Sequence, residues 1–248
     1  MLTSSSARLA FAHYPKTAGT SLSDWFTEAF ADAREVVPGD PHVPVREALV
    51  AAGALAMPVR RGLARMGFKV VRETGRLLTG RPLVPAPHVV DPGLRIIGVI
   101  REPFEMLVSL YEYWRRYPFD VEPAEPLIRA ARTRSFGRFL DTLLDEGRFP
   151  DYARFFDVGG PLWSKTRLLD FTTLSSALET VCAEFGLAPA TRLPQRNAAP
   201  SRQRDLAAYR HDAGGAYFGV RAYFAWYYDE GVRLMIRGAG TATVRRAA

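Results

Sequence analysis

Between His13 and Leu22 the chain reads His-Tyr-Pro-Lys-Thr-Ala-Gly-Thr-Ser-Leu, and four of these side chains can hold an anion. Lys16 offers a compact ammonium, while Thr17, Thr20 and Ser21 offer hydroxyl donors. Gly19 and Ala18 leave room for close backbone approach. A second pair lies far downstream: Arg101, and Ser109 eight residues later. A guanidinium fork with a hydroxyl beside it suits a terminal phosphate. The chemistry on offer is therefore the grip of two separate phosphate-like groups.

Both sets of residues sit where an α/β sheet places ligands. The apolar run Leu9–Ala12 reads as a strand within residues 8–13, and Leu22, Trp25, Phe26, Ala29 and Phe30 recur at helical spacing. A strand, a tight loop and a helix in that order point successive backbone N–H groups and a helix N-terminus at one spot. Residues 94–100 form the clearest strand, short and rich in β-branched residues, as a buried parallel strand should be. It ends at Arg101, and Pro103 opens a helix over 104–117 that carries Ser109. Ligands gather at the carboxyl ends of such strands.

The remaining elements follow the same alternation. Residues 35–37 read as a short strand, 45–56 as a helix ending before Pro58, 135–146 as a helix, 167–171 as a strand, and 175–185 as a helix closed by Gly186. Residues 216–236 form an aromatic helical tail, and 192–203 a loop. Residues 59–82 interleave basic residues with apolar ones, as in an amphipathic basic helix. The expected fold is α/β: a central parallel sheet between helical layers, like that of P-loop nucleotide triphosphatases, in one domain over 1–248. Residues 43–90 are its variable, largely helical segment and a candidate cover for an acceptor.

Composition narrows the function classes. The 248 residues, 48% apolar, suffice for one sizeable core. A net charge of +7 suits an anionic ligand, yet no block of five or six basic residues suggests a nucleic-acid arm. Of 33 basic residues only Lys16, Lys69 and Lys165 are lysines, so one of three stands in the candidate anion loop. The single cysteine, Cys182, rules out an internal disulfide and a multi-cysteine metal site. No signal-peptide pattern and no run of about 18 apolar residues is visible, which leads us to expect a cytoplasmic protein.

The order of the loop distinguishes among anions. Walker-type loops place Lys after the glycines, whereas here Lys16 precedes Gly19-Thr20-Ser21. The string resembles the 5′-phosphosulfate loop of sulfotransferases that use 3′-phosphoadenosine-5′-phosphosulfate (PAPS), most closely the carbohydrate type, including heparan sulfate 2-O-sulfotransferases. Val99-Ile100-Arg101-Glu102-Pro103, with Ser109 following, resembles their 3′-phosphate motif, although Glu102 stands where the family has Asp or Asn. Leu193-Pro194 and the basic residues after them resemble the family's late nucleotide-covering loop. The usual Glu near the start of the helix before that loop is replaced by Thr172 or Thr173. The likeness runs from about residue 8 to 230 and is vague between 31 and 94.

The resemblance implies a soluble bacterial enzyme that moves a sulfuryl group from PAPS to a hydroxyl or amine of a carbohydrate or small molecule, without a metal. Lys16 would neutralise the bridging oxygen. Thr17, Ala18, Gly19, Thr20 and Ser21 would bind the 5′-phosphosulfate. Arg101 and Ser109 would bind the 3′-phosphate, with Arg202 and Arg204 as candidates for a further contact. The family uses His or Glu as base, which makes His42 and His88 the candidates, with Glu35 and Asp40 behind them. His13 belongs to the loop junction, and His211 has no motif around it. The rival readings are a P-loop kinase or nucleotide hydrolase, and a non-catalytic module for anionic polymers drawn from the basic segment 60–76. The acceptor and the oligomeric state stay open.

Overall fold

The structure is a computed structural model that describes residues 1–56, 88–89, 91–116, 126–147, 149–187, 193 and 205–237. The basic segment 60–76, Arg202 and Arg204 lie outside the described residues.

Seven strands are described: β1 Leu2–Ser4, β2 Leu9–Ala12, β3 Arg34–Glu35, β4 Leu55–Ala56, β5 His88–Val89, β6 Arg95–Ile100 and β7 Thr166–Asp170. The first half of the chain contributes helices α1 Gly19–Ala29 and α2 Val45–Ala51, and α3 spans Pro103–Arg116. Beyond it come α4 Pro126–Thr133, α5 Phe136–Glu146, α6 Tyr152–Phe155 and α7 Leu174–Glu184. The tail forms α8 Leu206–Ala213, α9 Ala216–Tyr223, α10 Ala225–Tyr228 and α11 Glu230–Arg237.

The main sheet has the order β3-β1-β2-β6-β7. Its centre is parallel: Ala12 pairs with Gly98 across β2 and β6, and Ile100 with Asp170 across β6 and β7. The expectation of a parallel sheet needs correcting at its edge, because β1 runs antiparallel to both β2 and β3, making the sheet mixed. The cause is local. A turn over residues 5–8, closed by Arg8 N–H donating to the Ser5 carbonyl with Arg8 at φ 48°, folds the first residues back on β2. Three residues containing only one large apolar side chain give no strand signal of their own. Strands β4 and β5 form a separate antiparallel ribbon.

The strands alternate between two apolar layers, as period-2 geometry demands. Leu9, Phe11, Ile97 and Val99 pack with Leu22, Trp25 and Phe26 of α1 and with Leu178, Val181 and Cys182 of α7. Ala10, Ala12, Ile96 and Ile100 face the opposite layer, built around α3, α5 and the aromatic tail. Helices therefore flank the sheet on both sides. Gly98 is required here: a Cβ would stand 2.3 Å from the ring of Phe156, which is fully buried and cannot yield. Cys182 is buried, and Gly186 adopts φ 66° just past α7, the left-handed conformation expected of a terminating glycine. Among the described residues no helix is long and apolar enough to cross a membrane.

Candidate functional site

The His13–Ser21 loop leaves the carboxyl end of β2, and Arg101 leaves the carboxyl end of its parallel neighbour β6. The two candidate anion-binding segments thus emerge side by side from the carboxyl ends of adjacent strands. Buried tyrosines bind them together. Tyr14 is fully buried, and its hydroxyl donates to the Pro150 carbonyl at 2.7 Å. Its ring lies 4.5 Å from that of Tyr152. The Tyr152 hydroxyl donates to the Arg101 carbonyl at 2.7 Å and accepts the Arg101 N–H at 3.2 Å. Burial raises the pKa of both phenols, which holds them in the protonated form those bonds need.

The loop itself is strained in a way that concentrates donors. Lys16 and Ala18 both adopt left-handed backbone, at φ 61° and 63°, on either side of Thr17. Two non-glycine residues in this region cost roughly 1–3 kcal/mol each, and such strain gathers at ligand clamps. Alternating backbone of this kind forms a concavity for anions. The Thr17 hydroxyl is buried and donates to the Tyr14 carbonyl at 2.9 Å, so it stiffens the loop and leaves the backbone N–H as Thr17's contribution. Helix α1 starts at Gly19, earlier than its apolar spacing suggests, with Ala18 as an N-cap that makes no side-chain capping bond. Its positive end is aimed into the same concavity. Thr20 is exposed at this turn and Ser21 is buried.

One row of α3 links the two cations. Glu105, Ser109 and Tyr113 are spaced four apart and so share a helix face about 12 Å long. At one end Arg101 Nη2 meets Glu105 Oε2 at 3.2 Å, and the guanidinium lies 4.5 Å over the Phe171 ring. At the other end Lys16 Nζ stands 4.0 Å over the Tyr113 ring. Ser109, nearly buried, falls between them. Arg101 Nε is buried and has no hydrogen-bond partner among the described residues. Glu102 has a clear structural task. Its Oε2 accepts the Glu105 N–H at 2.7 Å, capping α3, and its Oε1 accepts from the Tyr228 hydroxyl.

The histidines separate sharply. His42 Nδ1 lies 3.0 Å from the His13 carbonyl. A carbonyl only accepts, so Nδ1 carries the proton and Nε2 keeps its lone pair. Burial against the loop lowers the His42 pKa below 6.5 despite an exposed outer edge. The bond to His13 and nearby Asp40 oppose this, and Lys16 adds to the lowering. His42 is thus neutral at pH 7, with a basic nitrogen available. Asp40 accepts the His42 N–H at 3.0 Å, and Glu35 accepts the Gly39 N–H at 3.0 Å, so both carboxylates support the turn that carries His42. His88 lies in β5 opposite Ala56. His211 is exposed on α8.

His13 is wedged between these parts. Its ring stacks on Phe11 at 5.8 Å and meets the His42 ring edge-on at 4.5 Å. It fills the space where a side chain on Gly19 would stand, since a Cβ there would come within 1.5 Å of His13 Nε2. Burial, with the His42 ring and Lys16 adding to it, pushes the His13 pKa down to about 3. The unfolded chain has a histidine pKa of about 6.5, so between these values only the unfolded state takes the proton. Stability is complete above about pH 6.5 and is lost as pH falls toward about 3, by an amount on the order of a few kcal/mol. The urea midpoint of the wild type should therefore drop between pH 7 and 4.5. His13→Phe, which keeps the stack on Phe11, should flatten that drop; an equal drop in both would contradict the assignment.

Sequence reasoning did not anticipate Tyr152 or Phe171, which reach Arg101 from distant parts of the chain, whereas the i,i+4 spacing of Glu105 from Arg101 was a signal that could have found it. Of the aromatic residues Tyr111, Tyr113, Trp114 and Trp163, Tyr111 is buried with its hydroxyl on the Arg134 carbonyl, and Trp114 and Trp163 pack on Phe139 and Trp226. Tyr113 alone of these is exposed. No group of three or more His, Cys, Asp or Glu residues that could hold a metal ion is found among the described residues. No protein-family model matches the sequence, and no curated protein is similar to it.

Proposed function

We propose that this chain is a PAPS-dependent sulfotransferase acting on a hydroxyl or amine of a carbohydrate or small molecule. The observation that carries the reading is the juxtaposition of the Lys16 loop and Arg101 on adjacent parallel strands, joined by one row of α3 with Ser109 between them. Two anion grips at the ends of one row suit a nucleotide with phosphate at both 5′ and 3′ positions, which ATP lacks. His42, neutral and with Nε2 unprotonated, supplies the base.

In this reading His42 Nε2 takes the proton of the acceptor as the acceptor oxygen or nitrogen bonds to sulfur. The bond between sulfur and the bridging oxygen breaks, and adenosine 3′,5′-bisphosphate leaves with the electron pair. Lys16 and the N-terminal end of α1 offset the charge that grows on that oxygen, and positioning supplies much of the rate. Arg101 and Ser109 hold the 3′-phosphate, with the guanidinium resting over the Phe171 ring. Glu105 shares Arg101 and limits where its fork can turn.

Transfer of labelled sulfate from PAPS across a panel of sugars, lipids and small natural products tests the reading. His42→Gln should lower turnover by about 10²–10⁴-fold, the usual contribution of a general base. The acid limb of the wild-type profile should lie below pH 6.5, because His42 works only when unprotonated. Unchanged turnover in His42→Gln would remove His42 from its role.

A further inference from the structure

Arg101 already has an anion beside it. Glu105 stands in the first turn of α3, and its Oε2 meets Arg101 Nη2 at 3.2 Å. The guanidinium has few open sides left. One face lies over the Phe171 ring, and only 15% of the Arg101 side chain is exposed. Nε and Nη2 donate from the same edge of the fork, an edge that suits a bidentate grip on phosphate. Glu105 takes Nη2, while Nε on that edge is buried with no hydrogen-bond partner among the described residues. Buried donors are nearly always bonded, so this edge is half filled.

A phosphate that takes the whole edge therefore meets a carboxylate at one of the two donors it needs. An oxygen bonded to Nη2 at about 2.8 Å, the usual charge-assisted length, lies within about 6 Å of Glu105 Oε2. At that separation two like unit charges oppose each other by a factor of roughly three even at water's dielectric constant, and by more where protein excludes water. A phosphate monoester carries more than one negative charge near neutral pH, which enlarges the factor. The neighbouring carboxylate, Glu102, is committed elsewhere, since its oxygens accept from the Glu105 N–H and the Tyr228 hydroxyl.

We infer that Glu105 sets the affinity of the Arg101 grip by opposing it. Its carboxylate occupies Nη2 when the grip is empty and repels the 3′-phosphate when the grip is filled. Adenosine 3′,5′-bisphosphate is thereby held less tightly and leaves sooner, which favours turnover. The inference rests on the sulfotransferase reading for the identity of the nucleotide. The 5′ end of that nucleotide lies at the Lys16 end of the α3 row, away from Glu105, so the effect belongs to the 3′-phosphate alone.

Calorimetric titration of the full chain with adenosine 3′,5′-bisphosphate and with adenosine 5′-monophosphate, wild type against Glu105→Gln, reads the effect. Glutamine keeps the length of the side chain and an oxygen for Nη2 but removes the charge. Glu105→Gln should bind the bisphosphate at least about fivefold tighter, and the monophosphate within about twofold of wild type. Glu105→Ser, which also removes the charge, should shift bisphosphate affinity in the same direction. A fold damaged by the substitution would not bind one nucleotide tighter, so the expected gain is not an effect of lost stability. Unchanged or weaker bisphosphate binding in both variants overturns the inference, and leaves the donor reading standing where the wild type still prefers the bisphosphate. Equal tightening toward both nucleotides also overturns it, because the gain would then not lie at the 3′-phosphate. Absence of bisphosphate binding in the wild type and both variants overturns the inference and the donor reading together.

Discussion

Lys16→Met is expected to lower turnover of PAPS by about 10²–10³-fold, the usual cost of removing one preorganised charge from a developing anion. The effect should fall on kcat more than on affinity for adenosine 3′,5′-bisphosphate. The loop N–H groups and Arg101 remain in the variant, whereas the charge on the leaving oxygen grows only as the sulfur bond breaks. Methionine keeps the apolar stem over Tyr113, so the loss is of charge rather than of packing. Initial rates with saturating PAPS would measure it. Turnover within a few-fold of wild type would show that Lys16 serves the loop's structure and not the transfer.

Gly19→Ala should do more damage than a methyl group ordinarily does. Its Cβ would overlap the His13 ring, and His13 holds His42 through its carbonyl. The ring has Phe11 on one side and His42 on another, so it cannot move without shifting one of them. We expect a loss of stability of about 1–3 kcal/mol from overpacking. A fall of at least 100-fold in transfer should accompany it, since misplaced groups forfeit the gain from orientation. Urea unfolding and initial rates on the same preparation check both. The second change, His13→Ala in the Gly19→Ala background, should recover stability because the clash is gone; failure to recover would place the strain elsewhere in the loop.

The two motifs were legible because each is contiguous and each straddles a strand end. Leu9–Ala12 and Arg95–Ile100 are short apolar runs followed by loop or helix-start residues, and local sequence decides such places. Helix α1 begins at Gly19 although its first residues are small and polar. They occupy the turn whose N–H groups have no partner within the helix, where apolar spacing says nothing. Strand β1 was hidden because Leu2-Thr3-Ser4 is too short to show alternation, and its pairing depends on the turn at Arg8. The two candidate histidines were hard to separate for a different reason. The sequence offers His42 by its distance from Lys16 and His88 by its place before the Arg101 strand, and neither spacing shows that the turn after β3, braced by Glu35 and Asp40, returns His42 to the His13 carbonyl. Tyr152 and Phe171 reach Arg101 from later segments, and no periodicity links them to it.

The central claim is that this edge of the sheet holds two phosphate groups of one nucleotide. Calorimetric titration with adenosine 3′,5′-bisphosphate and with adenosine 5′-monophosphate, on the wild type and on Arg101→Gln, tests it directly. Charge-assisted hydrogen bonds contribute about 1.5–3 kcal/mol each. The wild type should therefore prefer the bisphosphate by at least about tenfold, and Arg101→Gln should erase that preference while binding the monophosphate as before. Equal affinity of the wild type for the two nucleotides, or a preference that survives in Arg101→Gln, would contradict the account.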